Sequence, residues 1–275
     1  MNNIRKAFIY GLLIVMSILF IAPILIVLAN SFKGQFYISD SPFSLPNADT
    51  FSGLENYING IRKTGFISAF FRSLFITVLS VLIIVVFTSM GAWYTVRYKN
   101  KITSLIYNLF IFSMIVPFQM VMFTMSKTAN TIGLENPVGI LLLYLGFGAG
   151  LSIFIFAGFI KSIPIQLEEA ASIDGCGPLR TFFLIIFPIL KPTAVTVSIL
   201  NAMWIWNDYL LPYLVIGSEY KTIPVAVQYL QGGYGSRDMG ALMAMLVLSI
   251  IPIVIFYLLC QKHIIKGVIA GAVKG

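Results

Sequence analysis

Residues 75–96, "FITVLSVLIIVVFTSMGAWYTV", run for 22 positions without a charged side chain. At 1.5 Å per residue, about 20 apolar residues in a helix match the hydrocarbon thickness of a bilayer. No water reaches that depth, so each backbone N–H and C=O must be satisfied inside the chain, by a helix or a closed barrel. Barrel strands alternate apolar and polar side chains with period two, and this stretch does not. The reading is therefore a membrane-spanning helix.

The rest of the sequence repeats the pattern. Of its 275 residues, 59% are hydrophobic and 10% charged, and the mean hydropathy is +0.93. Soluble domains hold about half apolar residues. Apolar runs predict six spans, at roughly 8–30, 68–96, 103–125, 139–161, 193–216 and 239–261. The first follows Arg5 and Lys6, as a signal peptide would. It is too long for a signal h-region and no clean small-residue cleavage site follows, so it reads as a retained helix. The chain divides into an N-terminal span with its outer loop (1–67), a membrane core (68–262) and a tail (263–275). The loop "SDSPFSLPNADTFSGLENYING" (39–60) carries the Ser, Pro, Asn and Gly of turns, with room for a short helix or two.

Six crossings put both termini on one side. If that side is the cytoplasm, Arg5, Lys6, Arg97, Lys99, Lys101, Lys161, Arg180, Lys191, Lys262, Lys266 and Lys274 lie inside, eleven of the 18 basic residues. That bias favours the N-in, C-in arrangement. The net charge of +8 then reports orientation and anionic headgroups rather than nucleic acid. Cys176 and Cys260 are too few for a disulfide framework, lack metal-site spacing, and suit free thiols on the reducing side.

Against this background "KSIPIQLEEAASIDGCGPLRTFFLIIFPILKP" (161–192) stands out. Glu168, Glu169 and Asp174 gather beside Gly175, Gly177 and Pro178. Ser162 and Pro164 suit the N-cap and first position of a helix, Glu168 to Ala171 continue it, and Gly175 supplies a left-handed stop. Pro178 then opens a second helical segment. At mid-bilayer each carboxylate costs about 2.5–3.5 kcal/mol, so the short helix belongs on the cytoplasmic side. Ile165, Ala170, Ala171 and Ile173 leave it a small apolar face. That face suits either an ordinary amphipathic surface helix or close approach by another protein.

The spacing Glu169-Ala170-Ala171, three residues, Gly175, nine residues, Ile185, one residue, Phe187-Pro188 resembles the EAA loop of binding-protein-dependent ABC importer permeases. That family usually has Leu at the position of Phe187 and often Ala at that of Cys176. "SMIVPFQMVMF" (113–123), "TIGLENPVGILLLY" (131–144), "WIWNDYLLPYLVI" (204–216) and "QKHIIKGVIAGAVKG" (261–275) are similar to its carbohydrate-uptake, maltose-type branch. The resemblance covers roughly 8–275. It implies an all-α integral membrane protein with six transmembrane helices and a type-1 ABC permease fold. Glu168, Glu169, Ala170, Ala171, Asp174, Gly175 and Pro188 would belong to a cytoplasmic coupling helix and its flank, docked on a separate ATPase. It further implies a second, distinct permease subunit, two ATPase subunits carrying ATP and Mg2+, an extracytoplasmic solute-binding protein and a sugar as cargo. Lys274 and Gly275 would touch the ATPase pair, where the residues alone suggest a basic end frayed on the lipid surface.

No cofactor, metal or nucleic-acid site is expected in the chain itself, and it is not expected to be an enzyme. A phosphate cradle needs GxxxxGK[ST], and the nearest glycine cluster, "GGYGSRD" (232–238), lacks the lysine and hydroxyl pair. An intramembrane hydrolase would need a nucleophile with its base, which one His, two inner-side Cys and one deep Asp do not make. A stand-alone ion-coupled carrier is the alternative; such carriers hold several embedded ionisable groups and inverted repeats. Here Asp208 is the deep carboxylate. With Asn207 and Gln119 it is a candidate for the translocation pathway, against the plainer reading of a polar clasp between helices. Trp204, Trp206 and Tyr209 read as stacking faces or interfacial anchors, Arg72 as a snorkelling side chain, His263 as a headgroup contact, and Pro23, Pro117 and Pro252 as kinks.

Overall fold

The computed structural model describes residues 3–217, 219–231 and 237–272. Among them, β pairing is limited to one isolated antiparallel bridge, Lys33 with Phe51. The helices are α1 (Asn3–Asn30), α2 (Gln35–Asp40), α3 (Glu55–Thr64), α4 (Phe66–Arg97), α5 (Lys101–Ser113), α6 (Phe118–Thr131), α7 (Gly139–Ile160), α8 (Gln166–Ile173), α9 (Pro178–Ile189), α10 (Lys191–Asn207), α11 (Leu210–Val215), α12 (Ile223–Gln228) and α13 (Met239–Ala272).

Arg5–Asn30, Phe66–Arg97, Gly139–Ile160 and Met239–Lys262 are each long and apolar enough to cross a bilayer alone. Two further crossings are broken rather than straight, and both depart from the sequence expectation. The span expected as one helix over 103–125 turns by 108° between α5 and α6. Pro117 stands there in an extended conformation, φ −61° and ψ 136°, lacking the N–H that would continue the helical ladder. The span expected over 193–216 ends at Asn207; Asp208 is extended, and α9 and α10 meet at 78°. Pro23 and Pro252, by contrast, sit inside uninterrupted helices.

Within α9, Phe182–Ile186 is wound as a π-helix, and the Phe187 amide donates to the Phe182 carbonyl. A proline ring collides with the carbonyl four residues back and leaves it without a donor. Pro188 follows this widened turn directly, and a π-turn is a known way to accommodate such a mismatch.

The described parts of Met1–Phe70 and Ile223–Val254 form one compact unit, those of Phe71–Thr222 and Ile255–Gly275 another. In the first, the outer segment is a built structure rather than a loose loop. Asn56 Nδ2 donates to the carbonyls of Ser31 (2.9 Å) and Lys33 (2.8 Å) and to Ser52 Oγ (3.1 Å). Gly240 allows α13 to reach this hub: a Cβ there would fall 2.3 Å from Asn56 Oδ1. Lys63 of α3 pairs with Asp238, whose other oxygen accepts the Ala241 amide. Burial alone would push the Asp238 carboxyl up, but the hydrogen bonds from Lys63 and Ala241 and the Lys63 charge hold it below the usual carboxylate range.

The second unit is packed through small residues, as lipid-embedded helices require for close approach. A Cβ on Gly148 of α7 would meet Asn201 Oδ1 and Ile84 Cδ1, each at 2.8 Å; one on Gly150 would meet the Phe110 carbonyl at 2.7 Å. Asn201, buried in α10, donates to Ser152 Oγ at 3.1 Å. Ile84, Tyr144, Phe156, Phe182 and Val197 are fully enclosed in this core. α1 is the opposite case: none of its most apolar window is buried within the chain, and Phe8 and Phe20 are 72% and 74% exposed.

Two outcomes follow from this packing. Gly150→Val should lower thermal stability in one fixed detergent by about 1–3 kcal/mol through overpacking, while Gly146→Ala, with open space around it, should be neutral. Asp238 is stabilising when ionised, so its contribution is present above the unfolded carboxylate pKa of about 4 and is lost as pH falls through its depressed folded value. Thermal melts of wild type against Asp238→Asn should therefore differ at pH 6 and converge once the pH falls below the depressed folded value. The gap is at most about 1 kcal/mol for a pair this exposed.

Candidate functional site

The acidic loop folds locally much as its residues dictate, with one shift at its start. α8 begins at Gln166, not at Pro164. The Ser162 hydroxyl turns back to the Phe159 carbonyl at 2.7 Å instead of capping the next helix. Gly175 takes φ +79°, a conformation that costs L-residues about 1–2 kcal/mol. Its neighbour Cys176 donates its amide to the Ala171 carbonyl at 2.9 Å, which closes the helix end. Pro178 then opens α9 at its first turn.

Glu168 and Glu169, adjacent and alike in sequence, have different environments. Successive helical residues are turned by about 100°, so one faces the protein while the next faces away. Glu168 Oε1 accepts Arg97 Nε at 2.7 Å and its Oε2 accepts Trp93 Nε1 at 3.0 Å. Arg97 Nη2 also donates to the Ile163 carbonyl at 2.9 Å. The Arg97 and Glu168 side chains are each only 12% exposed. Ala171 is buried beneath the helix, while Glu169, Ala170, Asp174 and Gly175 are exposed. Around them Ile173 is 86% and Leu179 64% exposed, with Ile165 and Leu167 also open. The result is an exposed apolar face flanked by the exposed Glu169 and Asp174 carboxylates, on a segment tied to the end of α4. Pro188 is exposed too, but it lies on the far end of α9, beyond the π-turn.

The three pathway candidates have different local partners. Asp208 sits at the break after α10, where its Oδ1 accepts the Leu210 amide at 3.0 Å and its Oδ2 accepts the hydroxyl of buried Tyr144 at 3.1 Å. Trp204 stands edge-on to the Tyr144 ring at 5.5 Å. This is the clasp geometry: the carboxylate caps α11 and ties it to α7. Asn207 is exposed and donates to the Met203 carbonyl of its own helix at 2.7 Å. Gln119 is exposed on the first turn of α6. Arg72 does not snorkel freely; it donates to the Lys221 carbonyl at 3.2 Å. Lys274 and Gly275 lie outside the described residues, as does the side chain of His263.

Sequence reasoning missed Trp93 and Arg97 as partners of the loop. The available signal was their spacing: positions four apart near the end of an apolar helix share one face, and one of the two is a cation beside an acidic loop. It also missed Tyr144, Ser152 and Asn201, whose polar partners lie tens of residues away.

Comparison with known proteins gives consistent matches. Residues 85–270 match the family model of the binding-protein-dependent transport system inner membrane component. The chain is 40% identical to the probable starch degradation products transport system permease protein AmyC of Thermoanaerobacterium thermosulfurigenes, over 99% of this chain and 98% of that one. It is 38% identical to the multiple sugar-binding transport system permease protein MsmG of Streptococcus mutans, over 96% of each. Its fold is similar to a chain in the crystal structure of a bacterial ABC transporter involved in the import of the acidic polysaccharide alginate. That likeness has a TM-score of 0.73 and 23% identity, covering 94% of this chain and 96% of the other.

The clamp on α8 can be tested without transport. Arg97→Met leaves the largely buried Glu168 carboxylate with the Trp93 N–H but without its charged partner, at a cost of about 1.5–3 kcal/mol. Hydrogen exchange over residues 165–177 should accelerate in that variant, while exchange within α7 stays unchanged.

Proposed function

The chain belongs to the family of binding-protein-dependent transport system inner membrane components, and on that premise we propose that it forms half of the translocation pathway of an ATP-driven ABC importer for a sugar or oligosaccharide. It is a multi-pass protein of the bacterial cell membrane and a permease component of a multi-subunit system, not an enzyme. The cargo class is supported by relatives named for starch degradation products and multiple sugars. In this reading the complete assembly pairs the chain with a second, distinct permease, two ATPases holding ATP and Mg2+, and an extracytoplasmic solute-binding protein. The core is residues 68–262, and both termini face the cytoplasm.

One observation carries the mechanism: α8 is pinned to α4 through Glu168, Trp93 and Arg97, yet the loop presents Glu169 and Ile173 of α8, Asp174 after it and Leu179 of α9 outward. A coupling element needs both properties. The docking face must change its contacts between two states of the motor, since only differential contacts shift a conformational equilibrium. The clamp must be stiff, so that displacement of α8 moves α4 instead of being absorbed in the loop. Glu168 thus acts as the internal anchor, and Glu169 and Asp174 as the charges offered to the ATPase. Ala170 permits close approach, Ala171 seats the helix, Gly175 sets the turn, and Pro188 shapes the arm leading to α10. The stand-alone carrier gains no support: the Asp208 carboxylate is engaged by the Tyr144 hydroxyl and the Leu210 amide, and the relatives are permease components of transport systems.

Glu169→Lys and Gly175→Pro in the assembled importer should abolish uptake of radiolabelled maltooligosaccharide while membrane insertion stays normal. Proline cannot reach φ +79°. Wild-type uptake by both variants would defeat the assignment.

A further inference from the structure

The outer segment between α1 and α4 exposes a run of large apolar side chains that transport does not call for. Phe36 is 85% exposed, Phe43 82% and Leu45 79%. In water such a cluster invites aggregation, and it marks a binding surface. Its position identifies the occupant. Asn30, the last residue of α1, is buried and donates from Nδ2 to the Pro42 carbonyl at 2.8 Å. Lys33 is fully buried and donates from Nζ to the Ser41 carbonyl at 2.8 Å and to Ser44 Oγ at 3.1 Å. Together these bonds hold the turn 41–44, with Phe43 projecting from it, at the level where α1 ends.

The apolar stretch Arg5–Asn30 has 26 residues, about 39 Å of helix. That is enough to cross the hydrocarbon core of about 30 Å and to finish in the interfacial layer beyond it. The segment 34–41 leaves α1 and returns to the same level, and α2 is six residues long, about 9 Å. Phe36 therefore cannot lie far from that layer either. Aromatic side chains concentrate in this zone of membrane proteins. Asp40, exposed on the same short helix, keeps α2 at the surface instead of letting it sink. α1 itself is long and apolar enough to cross a bilayer, and none of its most apolar window is buried within the chain.

We propose that Phe36, Phe43 and Leu45 seat in the headgroup–acyl boundary at the C-terminal end of α1, so that the outer segment is moored to the bilayer and not only to the protein. Lys33 is a positioning residue: it fixes the turn that presents Phe43.

The test uses the complete importer in nanodiscs. Phe43→Trp and, independently, Leu45→Trp add one indole each, read as the emission gained over the parent. The added emission should be blue-shifted relative to indole in water. Lipid brominated near the carbonyl end of its acyl chains should quench it strongly, and lipid brominated near the terminal methyl weakly. Red-shifted emission unaffected by brominated lipid would overturn the proposal. So would quenching that disappears when the solute-binding protein docks, since the patch would then be a protein interface. Uptake is not the readout, so either result stands apart from the question of cargo.

Discussion

A carboxylate shared between an indole and a guanidinium fixes what this chain can do mechanically. Glu168 draws together Trp93 and Arg97 at the end of α4 and the first turn of α8, and Arg97 reaches on to the backbone at Ile163. Without that junction, α8 would be an eight-residue helix, too short to persist alone, joined to the membrane by flexible turns. With it, a surface helix is tied directly to a 32-residue membrane helix. The neighbouring exposed charge, the left-handed glycine and the apolar face have mechanical meaning because their base is held.

The same logic of fixed and free ends recurs further along. α9 is not a simple continuation of the loop but an arm with a π-wound middle, meeting α10 at 78°. α10 stops at Asn207, where Asp208 leaves the helical conformation to cap α11 and to accept the Tyr144 hydroxyl. Breaks of this kind leave backbone groups unpaired at depth and are tolerable only where side chains or neighbouring helices satisfy them. Asp208 is such a satisfier, which accounts structurally for a carboxylate in an otherwise apolar stretch.

Much of this was legible in the sequence, and the part that was not has identifiable causes. Apolar runs marked the crossings because lipid allows few polar residues along a helix. Pro117 announced a disturbance, yet composition alone does not distinguish a kink from a turn of 108°. The expected span over 193–216 overran because Asp208 ends the helix through an amide beside it and a tyrosine 64 positions away; only the first partner is local. Glu168 and Glu169 could not be told apart, since which of two adjacent residues faces inward depends on where the helix lands against α4. Gly175 was readable because its conformation is demanded locally. Gly148 and Gly150 were not, because what forbids their side chains belongs to Asn201, Ile84 and Phe110.

The bare surface of α1 carries a thermodynamic consequence. A helix none of whose most apolar window is buried by its own chain owes its native environment to whatever surrounds it, whether acyl chains, a second subunit or a micelle. Folding free energy is then tied by mass action to those surroundings. The chain has no single intrinsic stability, and melting temperatures can be compared between variants only when solvent and stoichiometry are held the same.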